Sequence, residues 1–341
     1  MDFLFGSKVV ASLDIGQENL KWAAIDQRKG SCHVWQAEMF PERVNRKDVS
    51  EEEAIVKRLA VLIPECQKAM PVWNKKVTCS AYGSKVFYGY LEFAKTNTKY
   101  FKQAVVSALL NTLPYPLDEL EVKVTAVETL SGRSDHSAVF YGLIHKSLIE
   151  KLRKRVEACG LTLDDTSLIP LALAKAWGKN RGAEIDDFVA LVNIGFEKTM
   201  VVVSKSQQLF SVREVPIGGS QFTYSFQIEE QLSWKAAEEK KRAYNVFDSR
   251  EHFVEPDLRK WLDELKKSIG HFESKFGEYG HKVSKVVLSG GGACWQGLDK
   301  RIEEFVKLPV LIDGWGNIRP IEPRSDQEAL LQKISIGSCL K

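Results

Sequence analysis

One local pattern occurs twice in this chain, and a repeat of that kind leaves few folds open. The apolar run Val9-Val10-Ala11-Ser12-Leu13 leads into Asp14-Ile15-Gly16, and a second apolar run, Leu20-Lys21-Trp22-Ala23-Ala24-Ile25, follows. Phe188-Val189-Ala190-Leu191-Val192 leads in the same way into Asn193-Ile194-Gly195 and then into Thr199-Met200-Val201-Val202-Val203. The unit is strand, tight turn, strand, once in each half of the chain, and two copies of one unit imply two domains of like fold. A further glycine run, Ser289-Gly290-Gly291-Gly292, follows the apolar Val286-Val287-Leu288. Glycine has no Cβ to hold an anion away, so backbone N–H groups at such strand ends can converge on a phosphate. Two turns of this kind that face each other frame a cleft for a nucleotide tail.

The 341 residues suffice for two domains with proper cores. Lys and Arg number 48 against 45 Asp and Glu, a net charge of +3, which gives no reason to expect nucleic-acid binding. The most basic stretch, Lys151, Arg153, Lys154 and Arg155, lies in a helical pattern and reads as a solvated face. The six cysteines are scattered without C-x-x-C spacing, as expected of free thiols in a reducing compartment. Met1 to Gly6 is too short and too acidic to read as a signal peptide. No apolar run approaches the roughly 18 residues of a spanning helix. The expectation is a cytoplasmic protein without direct membrane insertion, held at the membrane only through a partner.

Strand and helix patterns alternate, which argues for α/β layers. Residues 8 to 40 read as three strands. Residues 50 to 70 read as a helix with Ser50 as cap, Glu53 three residues on, and Ile55, Leu59 and Leu62 on its apolar face. A helix over 99 to 112 must stop at Leu113-Pro114-Tyr115-Pro116-Leu117, because a helix interior does not tolerate two prolines. Strands follow at 121 to 128 and 137 to 144. A helix over 147 to 159 ends at Gly160, and a buried helix is expected at 170 to 177, before a polar linker. The polar stretch 226 to 282 reads as mostly helical, and Asp326 to Cys339 as one more helix.

The ordered set Asp14-Ile15-Gly16, Asn193-Ile194-Gly195 and Ser289-Gly290-Gly291-Gly292 resembles the two phosphate motifs and the adenosine motif of the actin-like ATPase superfamily. Within it the chain is most similar to the PilM family, the cytoplasmic actin-like proteins of type IV pilus assembly. Leu113-Pro114-Tyr115-Pro116-Leu117-Asp118-Glu119 matches a segment of that family. So do Val215-Pro216-Ile217-Gly218-Gly219-Ser220-Gln221-Phe222-Thr223 and Ala237-Glu238-Glu239-Lys240-Lys241. The resemblance covers nearly the whole length.

It implies an actin-like α/β fold of two ribonuclease-H-like halves with a nucleotide cleft between them and an inserted subdomain in each. Residues 1 to 185 would form the first half, with an insertion at about 86 to 160, and residues 186 to 325 the second, with an insertion at about 216 to 280. The helix within 326 to 341 would return to the first half. The implied cofactors are ATP and Mg²⁺, with Asp14 in the shell of the metal. Gly16, Gln17, Glu18 and Asn19 would offer amides to the phosphates, and Lys21 a point charge. Gly195 and Thr199 would form the facing loop, with Asn193 at its start. Glu238 and Lys241 would touch the nucleoside, and Gly290, Gly291 and Gly292 would pack against it. Taken as residues alone, Lys21 also reads as a solvated strand residue, and Glu238 with Lys241 as a surface ion pair three apart on a helix. Trp295 directly follows the glycine run.

Two positions depart from the superfamily pattern. The second motif usually begins with aspartate and here begins with Asn193, which brings no negative charge to a metal. Relatives tend to carry a glutamate just before Pro170, where this chain has Ile169, and isoleucine cannot orient or deprotonate a water. The expectation is a nucleotide-binding scaffold with slow or absent turnover. It would bind the cytosolic N-terminal peptide of a membrane-anchored PilN-like partner, and a homo-oligomer is compatible with it. A small-molecule kinase of the same superfamily would need a catalytic aspartate beside an acceptor hydroxyl, and no motif supplies one. An FtsA-like division protein would end in an amphipathic membrane helix, and a GspL-like secretion protein would continue into a membrane span. The end of this sequence offers neither.

Overall fold

The computed structural model describes residues 9–17, 19–26, 31–38, 51–70, 73–110, 112–113, 115–181, 187–249, 251–314 and 326–340. The first part of the chain forms β1 (Val9–Ile15), β2 (Asn19–Asp26), β3 (Ser31–Glu38), α1 (Glu51–Ala69), β4 (Lys76–Ala81) and β5 (Val86–Ala94). It continues with α2 (Phe101–Leu109), β6 (Leu120–Val127), β7 (His136–His145), α3 (Lys146–Glu157), β8 (Thr162–Leu168) and α4 (Ile169–Arg181). The second part forms β9 (Phe188–Ile194), β10 (Thr199–Lys205), β11 (Gln208–Val215), α5 (Gly219–Glu229), α6 (Trp234–Ala243) and α7 (Glu255–Phe276). It ends with β12 (Val283–Ser289), α8 (Leu298–Val306), β13 (Val310–Ile312) and α9 (Asp326–Cys339).

The internal repeat extends well beyond the hairpins. The first sheet has the order β3-β2-β1-β4-β8 and the second β11-β10-β9-β12-β13, so each strand of one has a counterpart in the other. In both sheets three antiparallel strands are followed by parallel ones. The central strand β9 is apolar on both faces, as a strand covered on both sides must be. Ala190, Val192 and Ile194 share a core with Trp261, Leu265 and Phe272 of α7. Val189 and Leu191 point the other way, into a cluster with Ala172, Leu173 and Trp177 of α4. In the first sheet Ala11, Leu13 and Ile15 pack with Ile55, Leu59 and Leu62 of α1. Its opposite face carries Ala23, Cys32 and Val34 against Ile336 and Cys339 of α9.

Helices α4 and α9 therefore lie back to back between the two sheets. Their approach is close enough that a Cβ on Gly337 would stand 1.8 Å from the Ala172 carbonyl oxygen. Helices α5, α6 and α7 all fall between β11 and β12.

A third, antiparallel sheet, β5-β7-β6, stands apart in the order of pairing. One of its faces is covered by Phe101 and Val105 of α2. The helix expected to reach residue 112 ends at Leu109. Tyr115 packs on His145 at 4.7 Å and on Phe87 at 6.0 Å, and a short 3₁₀ turn, Leu117–Glu119, leads into β6. Pro114 and the expected helix cap Ser50 lie outside the described residues. No helix among the described residues is long and apolar enough to cross a membrane.

Candidate functional site

The carboxyl ends of parallel strands are where open α/β sheets gather ligand-binding groups, and both sheets present glycine turns at that edge. Asp14 stands near the end of β1, directly opposite Lys21 on β2. It is 2 % exposed, and its carboxylate pairs with the Lys21 ammonium at 3.0 Å. The Gly16 N–H donates to the Asn19 carbonyl at 3.0 Å, which closes the turn. A Cβ on Gly16 would lie 2.9 Å from that carbonyl oxygen and 3.6 Å from the Lys21 ammonium, so only glycine leaves the space open.

The second hairpin repeats this geometry with different chemistry. The Gly195 N–H donates to the Lys198 carbonyl at 3.0 Å. Asn193 stands opposite Met200, where the first hairpin has Asp14 opposite Lys21. The acid–base pair of one hairpin is thus an amide and a thioether in the other. The Asn193 Oδ1 accepts a hydrogen bond from the Ser289 hydroxyl at 3.3 Å. The tips of the two turns meet, because the Gln17 amide donates to the Glu197 carboxylate. Glu18 lies outside the described residues.

The glycine run after β12 packs flat against the second hairpin. Gly290 has φ +83°, and a Cβ there would lie 2.5 Å from the Ile194 carbonyl oxygen. One on Gly292 would lie 2.2 Å from Ile194 Cγ2, and one on Gly291 would lie 3.3 Å from Leu331 of α9. Beside this run opens a small pocket, lined by Ile194, Gly291 and Gly292 and by Glu238, Lys241 and Arg242. Phe222 and Trp295 also line it, their rings 4.9 Å apart, and the Trp295 indole donates to the Tyr244 carbonyl.

Glu238 and Lys241 are more than a surface ion pair. Lys241 is 6 % exposed and donates to Glu238 at 2.7 Å, to the Thr223 hydroxyl at 2.8 Å and to the Gly219 carbonyl at 3.2 Å. Burial pushes the Glu238 carboxyl up, but the Lys241 charge and hydrogen bonds from Lys241 and Thr223 outweigh it and hold the group below its ordinary value. Its ionised form therefore stabilises the fold above the unfolded value, near 4.3. That contribution disappears as pH falls through the lower folded value. Denaturant titrations between pH 6 and 3 are expected to show a shallower loss of stability in Glu238→Gln than in the wild type. Equal slopes would mean that Glu238 plays no part in acid unfolding.

Thr199 sits differently from a loop residue. It is fully buried; its hydroxyl donates to the Ile217 carbonyl at 2.8 Å and accepts from the Trp261 indole at 2.9 Å. It fastens the second hairpin to the segment before α5. Gly218 backs onto the same turn, where a Cβ would meet the Phe196 carbonyl oxygen at 2.4 Å. Tyr82, just past the end of β4, donates its hydroxyl to the Ile15 carbonyl and so braces the first turn from the side. Nothing in the sequence pattern singles out Tyr82 or Glu197; each is brought to the turns by tertiary structure. Ile169 opens α4 among Met200, Val202, Val287 and Ile334.

A family model for the type IV pilus assembly protein PilM matches residues 12–336. The chain belongs to the PilM family. Among solved structures it is similar to one described as a PilM–PilN type IV pilus biogenesis complex, with TM-score 0.77, 19 % identity and 97 % of each chain covered. It is also similar to the ethanolamine utilization protein EutJ from Carboxydothermus hydrogenoformans, with TM-score 0.58, 15 % identity, and 97 % and 89 % of the two chains covered. MreB5 of Spiroplasma citri bound to ADP matches with TM-score 0.53, 12 % identity, and 97 % and 95 % covered. The fold is the actin-like ATPase fold that PilM, EutJ and MreB share.

Proposed function

We propose that this PilM-family protein is an ATP-binding scaffold of type IV pilus or related secretion assembly, acting on the cytoplasmic side of the membrane. The observation that carries the reading is the meeting of the two glycine turns at Gln17 and Glu197, with the run Gly290 to Gly292 packed on the second of them at the edge of a pocket. The phosphates would lie between the turns, taking the Lys21 charge and N–H groups of the first turn other than that of Gly16, which closes the turn on Asn19. The nucleoside would lie between the glycine run and the Glu238–Lys241 side of the pocket.

Magnesium suits the donor set. No group of three or more potential metal ligands occurs among the described residues. Mg²⁺ commonly binds through one or two carboxylates together with phosphates and water, and Asp14 supplies one such carboxylate. The ion would neutralise phosphate charge. Lys21, now paired with Asp14, would be released to the phosphates as the metal took its place. With Asn193 and Ile169 at two positions where the resemblance implies acids, the site would hold a nucleotide and scarcely cleave it. A ligand that binds only the folded form stabilises it by mass action, so ATP would secure the closed arrangement of the two halves.

The partner would be the cytosolic N-terminal peptide of a membrane-anchored PilN-like protein, on the outer face of the third sheet near Leu113 to Leu117. Leu113 and Tyr115 are only partly buried there, and Leu110 and Tyr100 are 59 % and 45 % exposed. The likeness to a PilM–PilN complex supports a PilN-like partner.

Thermal shift with ATP and Mg²⁺ is expected to raise the melting temperature of the wild type and to leave Asp14→Ala and Gly291→Val unmoved. Equal stabilisation of all three proteins would remove the cleft from the proposal. Hydrogen exchange with a partner peptide should protect residues 100–120; protection confined to 216–280 would place the peptide elsewhere.

A further inference from the structure

The loop between β6 and β7, residues 128 to 135, combines serines, a glycine and charges and reads as solvent-exposed. Its Leu130 is nevertheless fully buried, and it is buried in the core of the second sheet, with Phe188, Phe210, Phe272 and Phe276. Polar contacts fasten the loop on that side. The His281 ring donates to the Leu130 carbonyl at 2.9 Å, and the Glu128 N–H donates to the Gln208 side-chain carbonyl at 2.6 Å. The Glu128 carboxylate pairs with Lys205 at 3.1 Å. On the side of its own sheet, the Leu130 N–H donates to the Glu92 carboxylate of β5 at 2.8 Å and to the Tyr90 hydroxyl at 2.9 Å. The Tyr90 ring itself packs on Phe276 at 5.5 Å and on Phe210 at 5.8 Å.

The same sheet is tied to the first half. It joins it covalently through the short link from β4 to β5, and β7 runs directly into α3. Lys123 of β6 pairs with Asp165 of β8 at 2.6 Å, and a Cβ on Gly142 of β7 would stand 2.3 Å from Leu168 Cδ1. The sheet is therefore anchored in both halves at once, independently of the α4–α9 crossing.

We infer that the third sheet is a brace that fixes the separation of the two halves, and hence of the two glycine turns, with Leu130 as the plug that seats it. The two halves cannot part without either drawing Leu130 out of an apolar core into water, which is unfavourable in proportion to the area exposed, or bending the sheet away from β8. Packed interfaces of this kind shift between discrete arrangements and do not deform continuously. The brace consequently sets how firmly Gln17 and Glu197 stay together at the turn tips, although neither touches Leu130.

Hydrogen exchange of the full chain, with no nucleotide or peptide present, tests the brace and leaves the nucleotide reading aside. In Leu130→Ala, segments 120–131 and 276–285 are expected to exchange on the order of 10²-fold faster, the cost of a buried large-to-small change. Segments 14–19 and 193–199, at the turns, are expected to exchange several-fold faster, while α1 is unchanged. Gln208→Ala, which keeps the leucine, should give the same pattern at smaller amplitude and guards against a Leu130 variant that fails to fold. Acceleration confined to 120–131 and 276–285 in both variants would make Leu130 a local packing residue and overturn the brace. Uniform acceleration over the whole chain in both would do the same. Because both variants are read in the ligand-free protein, neither result depends on whether ATP binds.

Discussion

Gly337→Ala is expected to be strongly destabilising, while the same change at Gly270 is expected to stabilise the protein. Both glycines lie inside helices, α9 and α7, and both are replaced by the better helix former, a gain of ~0.8–1 kcal/mol by propensity alone. Their surroundings decide the sign. A Cβ on Gly270 would meet nothing within 4 Å, so the propensity gain stands undiminished. A Cβ on Gly337 would stand 1.8 Å from the Ala172 carbonyl oxygen, 2.4 Å from its carbon and 2.8 Å from its Cα. All three are backbone atoms of α4, so no rotamer change relieves the contact, and the helices must move apart. Overpacking typically costs ~1–3 kcal/mol and occasionally more. With backbone against backbone, the upper part of that range applies even after the helical gain. Since α4 and α9 lie between the two sheets, the loss should extend to the relation of the halves. Urea titrations should lower the midpoint for Gly337→Ala and raise it slightly for Gly270→Ala. A Gly337→Ala protein as stable as the wild type would mean that α9 does not cross α4 at Ala172.

The elements most legible in the sequence are those whose environment is uniform along their length. Strands β1, β9 and β12 are buried on both faces, so they read as unbroken apolar runs, and the glycine at each end marks the turn. Helix α3 is amphipathic over 146–157, close to the expected 147–159; its C-cap is Ala158, and Gly160 two residues on takes the left-handed φ of +74°. Strand β8 is harder to see because it lies at an edge of the first sheet and carries exposed Asp164 and Asp165. Strand β5 is interrupted by Gly89, a strand breaker by composition. The structure supplies the reason for that glycine: the Tyr141 side chain lies over it, its hydroxyl 2.3 Å and its nearest ring carbon 2.4 Å from where a Cβ would be.

At the site, side chains within one hairpin or one helical turn could be brought together on paper. Asp14 with Lys21 and Glu238 with Lys241 are pairs of that kind. Tyr82, Gln17 with Glu197, and Leu130 are positioned by contacts across ~40 to 180 residues of chain, which no local period encodes. Thr199 is placed by its strand as much as by the turn. Its place beside a glycine turn suggests a ligand contact, but strand alternation turns its hydroxyl into the core, toward Ile217 and Trp261.

Placing acids at Asn193 and Ile169, as the superfamily resemblance implies, is expected to separate two effects that the sequence alone joins. Asn193 already accepts from Ser289, and aspartate keeps that acceptor in the same shape while adding a charge. Asn193→Asp should therefore fold normally and tighten magnesium-dependent ATP binding. Ile169 is another matter. It is 7 % exposed and packed among Met200, Val202, Val287 and Ile334. A glutamate there must bury a carboxyl group in apolar surroundings, which raises its pKa or costs several kcal/mol. Ile169→Glu alone should lower the melting temperature without adding turnover. In the double variant, ATP and Mg²⁺ offer the carboxylate a polar partner, so ligand should rescue its stability more than that of the wild type. A general base typically contributes on the order of 10²–10⁴-fold in rate, and only a glutamate that swings from the apolar cluster to the cleft could supply it. Single-turnover assays on the parent, both single variants and the double variant resolve the question. A parent that hydrolyses several ATP per second would end the scaffold proposal. Gain of activity in the double variant alone would show that the loss of two acids, and not the loss of nucleotide binding, keeps this cleft silent.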